Sequence, residues 1–375
     1  MAHEKTVYIG LELHVTRGTR IALFEDIHSV LTQSLLRKDD DRSFDQFVDA
    51  LAESIEMLLS EQGKTTKNVR AIGIAAPGIL GRKGEFHLVE FLVGFQGCNL
   101  KTALAKRLGV VVDIENDASC GALAEWSIRR IETLYWNFTE GWGGAWVTRD
   151  GQIRYNAHGW DGRDSSLHYT CEPGYAIPLS KLDLQMMFNE VNASYARFEQ
   201  ILVDEFAPED GMVHGPNGSM EHIRAELALS NHGRCRLFRA IVGDDHFFER
   251  FLDDFEIRQM DDPDSAAASI TKLSQMRVSA AVDTDRLFGR ILAKAGSILM
   301  HQAERDGIAD NVPICVGGDL TAALPSFGPS AQRAMGKVGL TNYLRPSVIE
   351  ERGDNPVLMG AAVLAEHAWL RANRE

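Results

Sequence analysis

Val110-Val111-Val112-Asp113-Ile114-Glu115-Asn116-Asp117, running on into Ala118-Ser119-Cys120-Gly121-Ala122-Leu123-Ala124-Glu125, is the stretch that decides the fold. A short β-branched apolar run reads as a buried strand, and here it ends in three polar residues. The small-residue segment from Ala118 to Arg130 reads as a helix, so the polar end of the strand lies at a helix N-terminus. Asn and Asp are favoured there as caps, and a carboxylate is stabilised by the helix dipole. In α/β sheets the C-terminal ends of strands are also where ligands sit. Asn116 and Asp117 are therefore read both ways, as a cap and as a site.

Strand and helix signals alternate outward from this stretch. Val7 to Leu13 and Arg20 to Phe24, separated by Gly18-Thr19, read as a hairpin. Ser43, three residues before Gln46, is a capping-box pattern ahead of helical spacing through Leu59. Val69 to Ala75 is a strand ended by Ala76-Pro77-Gly78, and Leu100 to Leu108 is a helix. After Leu134 a second set begins, with the glycine cluster Gly141-Trp142-Gly143-Gly144, an amphipathic helix over Asp285 to Gln302, the turn Val316-Gly317-Gly318-Asp319, and a last helix from Val357 to Arg371. This succession is that of an α/β protein with two related halves. The expected domains are an N-terminal lobe over 1–130, a C-terminal lobe over 131–350 with a helical, acidic insertion at about 179–262, and a C-terminal helix at 351–375 that packs back on the first lobe. The acids of the insertion, among them Asp204, Glu205, Asp244 and Asp253, read as a solvated helical surface.

The whole chain narrows the function classes. Its 375 residues are enough for two domains, 45% are hydrophobic, and no apolar run approaches a membrane span. A formal net charge of −14 and the lack of a long Lys/Arg run argue against nucleic acid as a partner. The first residues lack the order of a signal peptide, so a cytoplasmic location is expected. The five cysteines (Cys98, Cys120, Cys171, Cys235, Cys315) are scattered with no CxxC pair, which reads as reduced thiols rather than disulfides or a zinc site.

The triplet Glu115-Asn116-Asp117 with Ala122-Leu123-Ala124-Glu125 resembles the ROK family (repressors, open reading frames and kinases). Other segments fall in that family's order: Ala71 to Gly78, Gly94-Phe95-Gln96-Gly97-Cys98-Asn99-Leu100, Gly141 to Gly144, Val316-Gly317-Gly318 and Met359-Gly360-Ala361-Ala362. The resemblance implies a two-lobed actin, hexokinase and Hsp70 type of fold, ribonuclease H-like, with a duplicated mixed sheet flanked by helices. It also implies a kinase that passes the terminal phosphate of ATP, with Mg²⁺, to a sugar or polyol hydroxyl. Asp117 stands where the family has its general base, and the physics agrees, because phosphoryl transfer needs alignment, charge neutralisation and a base at the hydroxyl. Asn116, Asn99, Asp164 and His168 are the candidate sugar contacts. Glu12, Thr16, Gly141, Gly143, Gly144, Gly317 and Gly318 are the candidate nucleotide contacts. A homodimer is implied too, as members of the family are often dimers.

This sequence departs from the family at its phosphate loops. Where ROK kinases have Asp-x-Gly-Gly-Thr, this chain has Glu12-Leu13-His14-Val15-Thr16, which puts side chains where backbone N–H groups must approach an anion. Glu140 replaces a hydroxyl residue in the second loop, where a carboxylate repels phosphate. Only Cys171 follows Gly162 to His168, so no structural zinc is expected and no residue is assigned to a metal. Three readings follow: a sugar kinase with Asp117 as base, a sugar-binding or sensing protein without phosphotransfer, and, less favoured, a transcriptional regulator lacking its DNA-binding domain.

Overall fold

Alternation along the first strand sets the layers around it. In the computed structural model, which describes residues 6–14, 18–39, 42–81, 83–89, 92, 94–139, 141–154, 172–206, 212–214, 220–243, 263–309 and 311–374, strand β1 is Val7–His14. It is followed by β2 (Gly18–Asp26), β3 (Ser29–Leu36), helix α1 (Phe44–Glu61), β4 (Val69–Ala76), β5 (Ile79–Leu80), β6 (Phe86–Leu88), α2 (Leu100–Leu108), β7 (Val111–Asn116) and α3 (Asp117–Arg129). Then come β8 (Thr133–Phe138), β9 (Trp142–Val147), α4 (Pro173–Ala176), β10 (Pro178–Ser180), α5 (Lys181–Asn189), α6 (Tyr195–Glu205), β11 (Met212–His214), β12 (Met220–Arg224), α7 (Asn231–Val242), α8 (Pro263–Gln275), α9 (Ser279–Arg305), β13 (Ile314–Gly317), α10 (Leu324–Lys337), β14 (Leu344–Pro346), α11 (Val348–Glu351) and α12 (Pro356–Ala372). The chain divides into one unit of Met1–Tyr135, Gly144–Cys171 and Ser347–Glu375, and a second of Trp136–Gly143 and Glu172–Pro346.

The first unit is built on a mixed sheet in the order β3-β2-β1-β4-β7. β2 runs antiparallel to β1 and β3, while β4 is parallel to β1 and β7. Val7, Ile9, Leu11 and Leu13 join Leu51, Ile55 and Leu59 of α1 and Leu100 and Leu104 of α2 in one core. Each such side chain contributes about 1.5–3 kcal/mol on burial. The intervening residues Gly10 and Glu12 face the other layer, α12. A Cβ at Gly10 would stand 2.7 Å from the Leu358 carbonyl oxygen, and one at Gly73 only 1.8 Å from that of Ala361. Gly360 lies equally close to α3, since a Cβ there would meet the Cys120 carbonyl oxygen at 1.7 Å. These glycines let backbone meet backbone, and nothing larger fits without movement.

Caps hold the ends of these elements. Ser43 and Gln46 form the reciprocal capping box at the start of α1. Glu125, fully buried on α3, accepts the Ser347 hydroxyl at 2.6 Å, which fixes the start of α11 to the first unit. The structure also has strand β3, a stretch for which the sequence analysis assigned no element. It is an edge strand whose Val30, Leu31 and Leu35 are exposed, so its apolar alternation carries no burial signal.

A second sheet has the order β14-β13-β8-β9, and β13, β14, the C-terminal half of β8 and the start of β9 belong to the second unit. Its core is aromatic: Phe138 stacks on Trp142 with centroids 5.7 Å apart, Trp136 meets Trp142 edge-on at 5.3 Å, and Phe288 of α9 contacts both Phe138 and Phe327. The segment expected to be wholly helical also contains a small antiparallel sheet, β10-β12-β11. These strands have only three to five residues each, too few to show a two-residue period among helical neighbours. Glu205, one of the acids read as solvated, accepts from Arg236 and Arg239 of α7, each at 2.6 Å. Arg234, between them, is fully buried against Asp285, with Nε and Nη2 at 2.9 and 2.7 Å from one carboxylate oxygen. Burial pushes the Asp285 carboxyl up from its ordinary value, against the pull of Arg234.

Among the described residues no helix is long and apolar enough to cross a membrane.

Candidate functional site

In the first unit the candidate residues gather at the C-terminal ends of β1, β4 and β7. Asn116, the last residue of β7, is the N-cap of α3 and is completely buried. Its side-chain oxygen accepts the amide of Ala118 at 2.8 Å and that of Ser119 at 3.3 Å, and its side-chain nitrogen donates to the Gly78 carbonyl at 2.9 Å. That last bond ties the turn after β4, where Gly78 takes φ +84°, to the end of β7. Asp117 follows, half-buried in the first turn of α3, with one carboxylate oxygen 2.8 Å from the Ala118 amide. A carboxylate in this position is stabilised by the helix dipole and can accept hydrogen bonds from hydroxyl groups. Asn99 caps α2 through the Thr102 amide at 2.9 Å and donates to the Lys83 carbonyl at 2.9 Å. Both asparagines thus organise the local backbone.

Glu12 stands near the end of β1 and is only 7% exposed. One of its oxygens accepts Arg20 Nη1 at 2.7 Å and Asn355 Nδ2 at 2.8 Å. Arg20 lies directly across the hairpin from Glu12, and Asn355 is the N-cap of α12. Neither was singled out from the sequence, although the strand period places Arg20 opposite Glu12 once the hairpin is paired. Thr16, Asp164, His168 and Glu140 lie outside the described residues.

Gly143, the last residue of the Trp136–Gly143 stretch of the second unit, and Gly144, the first of the Gly144–Cys171 stretch of the first unit, are consecutive in strand β9. Trp142 between Gly141 and Gly143 is a buried core residue. Gly141 remains in the turn, where, among the described residues, a Cβ would meet Glu226 Oε2 alone, at 3.6 Å. Gly317 ends β13, and Gly318 follows at φ +82°, packed so closely on the end of β8 that a Cβ would stand 2.4 Å from the Phe138 carbonyl oxygen. Asn231, at the start of α7, joins the two turns: its backbone amide donates to the Thr139 carbonyl and its side chain donates to Asp319, both at 3.0 Å. Asn231 carries no sign of this role in the sequence, because it lies within the segment read as solvated helix, 88 positions from Asp319.

ATP and Mg²⁺, which the family resemblance implies, fit these residues poorly. A triphosphate needs N–H donors or cations, whereas the turns of the second unit carry the carboxylates of Glu226, which has Arg224 at 3.8 Å, and Asp319, and Glu12 already receives a guanidinium. Among the described residues no group of three or more His, Cys, Asp and Glu side chains could hold a metal ion.

The ROK family model matches residues 8–161. No curated protein matches the chain. Among solved structures, a ROK family glucokinase from Streptomyces griseus in complex with glucose and AMPPNP is similar, with 16% identity, a TM-score of 0.65, and coverage of 96% of this chain and 99% of that one. A ROK family protein from Streptococcus pneumoniae in complex with sucrose has 15% identity and a TM-score of 0.62 over 98% of this chain and 99% of that one. A ROK family transcriptional regulator, a homologue of the E. coli MLC protein, has 17% identity and a TM-score of 0.67 over 97% of this chain and 78% of that one. The family match thus covers residues 8–161, and the chain as a whole has the α/β fold of the solved ROK kinase and ROK regulator.

Proposed function

We propose that this chain is a ROK-type carbohydrate-binding protein that recognises a sugar or polyol at the strand ends of its first unit and does not transfer phosphate to it. Asp117 accepts a hydrogen bond from a ligand hydroxyl, and the capping of α3 by Asn116 holds that carboxylate in place. Charge-assisted bonds of this kind are stronger than neutral ones, and hydroxyl groups are what a sugar offers. The ROK proteins solved with glucose and with sucrose support the ligand class.

The observation that carries the absence of transfer is the carboxylate of Glu226 beside Gly141, at the turn where a phosphate donor would need N–H groups. A second reading, an ATP-dependent sugar kinase with Asp117 as general base, is favoured by the position of that aspartate at the end of β7. The two are separated by measuring ADP release and ligand-induced thermal stabilisation over a panel of sugars, amino sugars and polyols with Mg²⁺-ATP. Binding without transfer gives a sugar that raises the unfolding temperature of the wild type but not of Asp117→Asn, with no ADP released. Sugar-dependent ADP release that Asp117→Asn abolishes establishes the kinase instead. A panel in which no sugar or polyol shifts the unfolding temperature or releases ADP rejects both.

A further inference from the structure

Glu12, Arg20 and Asn355 form a closed polar arrangement in the first unit. Glu12 is buried, and one of its two carboxylate oxygens, Oε2, accepts two donors at 2.7 and 2.8 Å. The second donor is oriented by its other bond: Asn355 Oδ1 accepts the Leu358 amide at 2.9 Å to cap α12, which leaves its nitrogen turned to Glu12. The first is oriented by strand register, because Arg20 is the β2 residue paired with Glu12. Alternation along β1 puts Glu12 on the same face as Gly10, against α12. The carboxylate is thus turned by the fold toward these donors.

We infer that Arg20 is a resident cation for Glu12, taking the place of a divalent metal ion, so that the end of β1 in the first unit holds no divalent metal. Mg²⁺ requires near-octahedral oxygen ligands at about 2.0–2.1 Å and gives up its water reluctantly. Oε2, which already receives a guanidinium and an amide, has no lone pair left for a metal, and the guanidinium beside it would repel a dication approaching the other carboxylate oxygen. Glutamate is one methylene longer than the aspartate of ROK kinases, and that extra reach serves two donors of the protein itself. Arg20 is a positioning residue: it holds Glu12, and through Asn355 it connects the β1–β2 hairpin with the start of α12.

The inference concerns metal rather than sugar, so it stands or falls apart from the carbohydrate reading. The test uses the full chain with Mn²⁺ alone, followed by the loss of the free-ion paramagnetic resonance signal, and thermal unfolding with and without Mg²⁺. The wild type is expected to leave the Mn²⁺ signal unchanged and to unfold at one temperature in both buffers. Arg20→Met bares the carboxylate; it lowers the unfolding temperature by about 3 °C without metal, and Mg²⁺ restores part of that loss. Arg20→Lys retains the charge and remains indifferent to metal. Stoichiometric Mn²⁺ uptake by the wild type that Glu12→Gln removes would overturn the proposal. So would an Arg20→Met chain as stable as the wild type, or one whose loss neither Mg²⁺ nor Arg20→Lys repairs, because Arg20 would then act only by packing. Should Arg20→Met not fold, the wild-type Mn²⁺ titration decides alone. A chain that takes up no Mn²⁺ and binds no sugar loses the carbohydrate reading and keeps this one.

Discussion

The two units keep glycines for different reasons. In the first unit Gly10, Gly73 and Gly360 are fixed by backbone pressed against them, and none of these positions has room for a Cβ. In the second unit the turns differ between themselves: Gly318 is closed in by Phe138, whereas a Cβ at Gly141 would meet, among the described residues, the Glu226 carboxylate alone, in ordinary contact at 3.6 Å. A glycine that packing demands survives whatever happens to a ligand site. A glycine at an open turn is maintained only by what binds there or by the turn itself. The family resemblance at Met359-Gly360-Ala361-Ala362 is therefore a resemblance of fold, and it carries no information about phosphate.

Substitutions can break this contrast. Gly360→Ala drives a methyl group into the Cys120 carbonyl and is expected to destabilise by about 3 kcal/mol or more, read as a lower denaturant midpoint; an unchanged midpoint would show that α3 and α12 can separate freely. Gly318→Ala combines a clash with φ +82° and ψ −172°, a region nearly reserved to glycine, and should destabilise by about 2–3 kcal/mol. Gly141→Ala is expected to change stability by less than about 0.5 kcal/mol and to leave sugar-induced stabilisation as it was. A loss of ligand effect in Gly141→Ala would instead give that turn a binding role.

The smallest effect concerns pH. His367 of α12, edge-on to Trp126, has its pKa lowered by burial first and then by Arg371 and Arg130, so it is neutral in the folded chain. As pH falls below about 6.5 the unfolded chain takes up the proton first, and stability declines through that window down to the lower folded value. His367→Gln should flatten the slope of unfolding free energy between neutral and mildly acidic pH. An unchanged slope would assign it to other groups.

Much of the first unit was legible from the sequence because its signals are local. Ser43 with Gln46 forms the capping box that its spacing suggested, Leu100–Leu108 is the helix read there, and the strand ending in Asn116 forms as read. What the sequence concealed is set by long-range contacts. Arg20 becomes a partner of Glu12 only when the hairpin register is known, and Asn355 reaches the same oxygen from 343 positions away. Asn231 looked like one more polar residue in a solvated helix until the fold placed it beside Thr139 and Asp319. Capping, likewise, leaves the sequence signal of Asn116 the same whether or not a ligand shares it.

The buried bond between Glu125 and Ser347 bears on how the molecule is made. The first unit is drawn from three stretches, and the last of them, Ser347–Glu375, supplies the helix that fills the face of its sheet. On the ribosome the sheet of β1, β2, β4 and β7 emerges long before α12, so one apolar face must wait uncovered while the whole second unit is synthesised. Completion of the first unit is thus a late event in translation, and the nascent chain in that interval is the form most in need of a chaperone.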